Sequence, residues 1–75
     1  MPHIQVKLLE GKTEAQKQKL AEELVKAAQQ AIGFGDESYS VSIEEFTMGE
    51  WKKDIYPKEI MGRKEILYKE PGYSM

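Results

Sequence analysis

Cysteine is absent, so neither a disulfide framework nor a thiolate metal site can hold this chain together. An excess of one charge is missing too: 11 basic and 13 acidic residues leave a net charge of -2. A protein that neutralises phosphate backbones would show a basic surplus, so nucleic acid is not an expected partner. No apolar run approaches the roughly 18 to 20 residues that cross a bilayer, and no basic segment followed by an apolar stretch opens the chain. A soluble cytoplasmic protein without a membrane partner is expected. His3 is the only histidine, Trp51 the only tryptophan and Arg63 the only arginine. No spacing of His, Asp and Glu would hold a metal. A glycine-rich phosphate loop and a serine with a positioned histidine are also lacking, so neither metal nor cofactor is expected.

What is present fits one small domain, residues 1–75. A core made by 75 residues alone is thermodynamically marginal, and with disulfides and metals excluded, association of subunits is the remaining source of stability. Ile4, Val6 and Leu8 alternate with His3, Gln5 and Lys7, the period of a half-buried strand. Glu10-Gly11-Lys12 is a turn. Thr13-x-x-Gln16 is a capping box that opens a helix of about five turns, with Leu20, Leu24, Ala27, Ala28 and Ala31 as its apolar stripe. Gly33 and Gly35 bracket its end. Tyr39, Val41 and Ile43 then alternate with serines from Ser38 to Glu44, a second strand.

Strand, helix, strand is a βαβ unit, whose crossover makes the strands parallel. The fold class is α/β (α+β), with a core over residues 2–46 and an irregular tail over 47–75. Two strands and one helix cannot cover both faces of a sheet, so a second copy is expected to extend it. In the tail, Thr47-x-x-Glu50 is a second capping box before Trp51 and Ile55. Pro57 is placed at the first position of a further short helix over Lys58 to Met61, which Gly62 interrupts.

Pro2 directly follows the initiator methionine. Its small side chain makes it a substrate for methionine removal, which would leave a secondary amine fixed at a strand end. A general base works best with a pKa near the operating pH, and a secondary aliphatic amine in water is too basic. Burial and a nearby cation both disfavour its protonated form.

Pro2 on its strand, the Leu9-Glu10-Gly11-Lys12-Thr13 turn, the capped helix, the second strand and Gly49-x-Trp51 together resemble the tautomerase superfamily built on the 4-oxalocrotonate tautomerase fold. The ending Lys69-Glu70-Pro71-Gly72-Tyr73-Ser74-Met75 looks like that of its PptA-type bacterial members. The resemblance implies that two subunits pair into a four-stranded sheet with helices packed on it, as a homodimer or as a hexamer of three dimers. It further implies a cofactor-independent enol/keto isomerase acting on small 2-oxo or 2-hydroxy-enoic acids such as phenylenolpyruvate, with Pro2 as general base after loss of Met1.

The sequence departs from that pattern where the family carries arginines, having Lys12 at the first position and Ser40 at the second. Lysine lacks the planar fork that grips a carboxylate in two bonds. Arg63 in the tail is a candidate replacement. Trp51 stands where the family has an aromatic wall beside the proline, and Tyr39 is a candidate for more of it. His3 reads as a surface or interface residue. Two other functions stay open: a non-catalytic oligomeric binding protein on the same scaffold, and a proline-dependent dehalogenase or decarboxylase.

Overall fold

A computed structural model describes residues 1–75, which divide into two compact units, Met1–Glu45 and Phe46–Met75. In the first unit, strand β1 (His3–Leu9), helix α1 (Glu14–Ile32) and strand β2 (Ser40–Phe46, which runs one residue into the second unit) form the expected βαβ unit, and β1 and β2 pair as a two-stranded parallel sheet. The pleat sorts the side chains. Ile4, Val6 and Leu8 are half-buried, and α1 lies over their face: Lys17 and Leu20 line a cleft with Leu8, and Lys17 and Ala21 another with Val41 and Ile43. His3, Gln5, Ser40 and Glu44 stand exposed on the opposite face and bond across it.

Helix α1 starts where the capping box puts it. The Thr13 hydroxyl accepts from the Gln16 amide at 3.1 Å, and the Gln16 side chain accepts from the Thr13 amide at 2.9 Å. Its sheet-facing stripe differs from the expected one. Lys17, Leu20, Ala21, Leu24, Val25, Ala28 and Gln29 are half-buried, whereas Ala27 and Ala31 are exposed. Lys17 sits on this stripe because its ammonium meets the carboxylates of Glu14 and Glu45, both at 2.9 Å, so the side chain is only 18% exposed.

The end of α1 also departs from expectation. Gly33 takes φ +84° and its amide donates to the Gln29 carbonyl at 3.0 Å, but Gly35 is extended at φ -76°. The second positive φ falls on Phe34, at +69°. Next comes a 3-10 turn over Asp36–Ser38, in which the Ser38 amide donates to Gly35 and the Tyr39 amide to Asp36. Those two amides are therefore unavailable to the sheet, which is why β2 begins at Ser40, two residues later than alternation suggests.

In the second unit, Thr47 and Glu50 close their capping box at 3.1 and 2.8 Å and start α2 (Met48–Glu50). The helix runs on as a π-helical segment, Trp51–Ile60, and then a 3-10 segment, Met61–Ile66, with a kink at Arg63 (φ -129°, ψ 45°). The placement of Pro57 at the head of a new helix is thus corrected: it lies inside a continuous one. Proline has no amide to donate, and the wider π spacing, with Met61 N–H reaching back to the Tyr56 carbonyl, accommodates its ring. Gly62 does not interrupt the helix as expected but lies within the 3-10 segment, where a Cβ would stand 2.8 Å from the Pro57 carbonyl oxygen, so glycine fits the close approach. Ile55, 2% exposed, is the one buried apolar residue of the chain.

Candidate active site

Pro2 sits half-buried at the head of β1, and its carbonyl accepts from the Ser40 amide at 3.3 Å, so the start of β2 fixes the residue that would carry the base. Met1 before it is fully exposed. Ser40 also bonds through its side chain. Its hydroxyl is 2.7 Å from Nδ1 of His3, while Nε2 of the same ring is 3.2 Å from the Ser42 hydroxyl. His3 therefore spans both serines of β2 and ties the first residues of β1 to it, an exposed histidine as expected, with two partners that the sequence alone does not name. Strand register was the absent information: once Pro2 pairs with Ser40, His3 and both serines share a face.

Tyr39 is half-buried beside Ser40, and its hydroxyl donates to the Gly33 carbonyl at 2.6 Å. The start of β1, the start of β2 and the end of α1 consequently meet at one end of the first unit. Lys12 belongs to the other end. It lines a cleft of about 240 Å³ with Leu8, Gln16, Lys17 and Leu20. Within that cleft the charge of Lys17 is taken up by Glu14 and Glu45. The hydrogen bonds to Glu14 and then Glu45 hold the Lys17 ammonium above the usual lysine range. Glu45 is held below the usual carboxylate range by its hydrogen bond from Lys17, helped by the backbone amides of Lys12 and Gly11. Glu45 so pins the turn that carries Lys12 and leaves Lys12 as the cation the cleft can offer. Seven strand residues at about 3.3 Å each separate Lys12 from Pro2, on the order of 20 Å.

Trp51 and Arg63 lie in the second unit. The Trp51 indole packs edge-on against Phe46, ring centres 6.3 Å apart at 66°, and its Nε1–H donates to the Tyr73 hydroxyl at 3.3 Å. Tyr73 in turn leans on Tyr56 at 5.7 Å, so the Pro-Gly-Tyr-Ser-Met ending is anchored through aromatic contacts. Arg63 is exposed at the helix kink.

The family model for tautomerase enzymes matches residues 2–52, from Pro2 through Lys52. The chain belongs to the tautomerase family. A probable tautomerase of Xylella fastidiosa is 37% identical over 73 residues, covering 97% of this chain and 89% of that relative. The tautomerase PptA of Cronobacter sakazakii is 34% identical over 76 residues, covering both chains completely. Among solved structures, N2, a member of the 4-oxalocrotonate tautomerase family, superposes with a TM-score of 0.65 at 35% identity, covering 69% of this chain and 81% of that one. This tautomerase is accordingly an isomerase of the 4-oxalocrotonate tautomerase fold and PptA type. No helix in it is long and apolar enough to cross a membrane.

Proposed function

We propose that, once Met1 is removed, this tautomerase ketonises small 2-hydroxy-enoic acids such as phenylenolpyruvate with the Pro2 nitrogen as general base. The nitrogen takes the enol hydroxyl proton, the O–H pair becomes the carbonyl π bond, and the C=C pair collects a proton at C3 from the protonated proline. The base is regenerated and no cofactor is consumed. The observation that supports this reading best is the anchoring of Pro2: half-buried, and tied by its carbonyl to the Ser40 amide at the head of β1. Full exposure of Met1 supports its removal. Lys12 is the cation for the substrate carboxylate, with Ser40 at the pocket edge, Tyr39 and Trp51 as apolar walls and Arg63 as an auxiliary charge.

Pro2 and Lys12 stand at opposite ends of β1, so a site that uses both takes them from different copies. Self-association has a second support. A two-stranded sheet leaves both strand edges unpaired. We assign these surfaces to a homodimer with a four-stranded sheet, the whole of 1–75 acting as one tautomerase-like domain. The test is intact mass together with ketonisation of phenylenolpyruvate followed by absorbance. A mature mass lacking one methionine, with activity that falls in Pro2→Ala, is expected; equal rates for the two proteins would dispose of Pro2 as the base.

A further inference from the structure

The cleft at the Lys12 end of the first unit joins an apolar floor to a cation. Leu8 and Leu20 line it beside Lys12, Gln16 and Lys17, and its volume of about 240 Å³ lies below the range of drug-sized pockets, so it suits a molecule of only a few carbons. The two lysines differ in what they can do there. The Lys17 ammonium is held by Glu14 and by Glu45, both at 2.9 Å. Glu45 is the sheltered partner: its side chain is 27% exposed and that of Glu14 is 92% exposed, so water screens the charge of Glu14 far more. The Glu45 carboxylate also accepts from the backbone amides of Lys12 and Gly11, which fixes the turn beneath the Lys12 side chain. Lys12 itself is exposed and has no carboxylate partner, so its ammonium is the one cation that the cleft can give to a ligand.

We infer that Glu45 is a positioning residue that sets the charge class of the cleft's ligand: by engaging Lys17 it leaves Lys12 to receive one carboxylate, with the leucines facing an apolar remainder. This deepens the assignment of Lys12 as the substrate's cation and rests on it. The occupant follows from the lining. One carboxylate pairs with Lys12 while a short aliphatic body displaces water from Leu8 and Leu20. A dicarboxylate of the same length brings its second charge to a wall whose only other cation is already shared by two carboxylates. A charge that loses water without gaining a partner is costly, so the cleft favours the monocarboxylate.

The probes are butyrate and succinate, equal in chain length and differing by one carboxylate. Their Kd values are measured on the full-length chain at neutral pH and constant ionic strength, by titration followed through the NMR signals of the Gly11, Lys12 and Gln16 amides. The parent is expected to bind butyrate more tightly than succinate. Glu45→Gln keeps an oxygen for the two turn amides but removes the charge and releases Lys17 from it. The preference for butyrate should then fall about tenfold, the order of effect of one unit charge at close range near a protein surface. Glu45→Asp keeps the charge and should keep the preference. Glu14→Gln removes the exposed partner and should change the preference by less than about threefold. Any loosening of the turn weakens both probes alike and cancels in their ratio, so a merely structural role for Glu45 would leave the ratio unmoved. A parent that prefers succinate, or a ratio equal in the parent and Glu45→Gln while Lys12→Gln abolishes binding, overturns this inference and leaves Lys12 as the carboxylate's cation. Butyrate affinity indifferent to Lys12→Gln, or no saturable binding of either probe, overturns both.

Discussion

Blocking the Pro2 nitrogen with an uncleaved N-terminal extension isolates its chemistry from its place in the fold. Because Met1 is fully exposed, added residues project into solvent, and because Pro2 is held through its carbonyl by Ser40, the strand pairing is left intact. The extension turns an amine into an amide, which has no useful basicity, and nothing else in the first unit changes. General-base catalysis is worth about 10²- to 10⁴-fold, so kcat/KM should fall by that factor, equivalent to about 2.7 to 5.5 kcal/mol of transition-state stabilisation. Removing the extension with a protease that leaves proline at the terminus should restore the rate. Circular dichroism and light scattering of the blocked protein should match those of the free one. Full activity in the blocked protein would refute the argument at its root, because the amide that replaces the amine has no useful basicity.

Thr13→Ala removes one half of the capping box and should cost about 1 kcal/mol, lowering Tm by about 4 to 8 °C, read by thermal denaturation at fixed protein concentration. Glu45 is depressed by Lys17, so its contribution to stability is present above the ordinary value of 4.5 and is lost as pH falls through its lowered pKa. Lys17 is raised, so its contribution is present below 10.5 and is lost as pH rises past that value. The Tm difference between the parent and Glu45→Gln, which removes the Glu45 contribution and the part of the Lys17 one that Glu45 supplies while Glu14 stays, should therefore be flat at neutral pH and shrink at both extremes; a difference that does not vary with pH would show that the pairing adds nothing. At position 34, alanine keeps the left-handed strain while glycine relieves it, and both lose the same ring. Phe34→Gly should be the more stable of the two by about 1 kcal/mol in urea unfolding.

The elements that rest on local chemistry were legible in the sequence. Alternation gave β1, the Thr13–Gln16 box gave the start of α1, and together they led to a parallel βαβ unit. What was not legible depends on pairing across the chain. Which strand amides are free is decided by the Asp36–Ser38 turn, so β2 starts later than its alternation. Lys17 looks like any solvated helix lysine until β2 brings Glu45 against it. Pro57 reads as a helix start under ordinary α spacing, and only the π-helical widening of the preceding residues makes an interior proline tolerable. Of the candidate site residues, Pro2, Tyr39 and Ser40 come together through bonds that parallel strand order implies. The separation of Lys12 from Pro2 was implicit in β1 itself, since both ends of one strand cannot serve one small substrate. Phe34 left no signal beyond a bulky residue between two glycines, because the preference of the cap for glycine pointed to Gly35 and the structure gives the positive φ to its neighbour.

The exposed face of the sheet bears on how further strands would join. His3, Gln5 and Lys7 on β1 face Ser40, Ser42 and Glu44 on β2, and they bond to one another: His3 to both serines, Gln5 to Glu44 at 3.2 Å, Lys7 to Glu44 at 3.4 Å. Covering that face with a dry partner would strip water from an ion pair and an imidazole that now keep part of their hydration, and desolvating charges is costly even when they stay paired. The strand edges carry the opposite balance. Their free N–H and C=O groups gain partners when another strand adds in the plane of the sheet, and no side-chain charge is buried by that step. Growth in the plane, with the polar ladder left in water, is therefore the cheaper route by which a further strand would join.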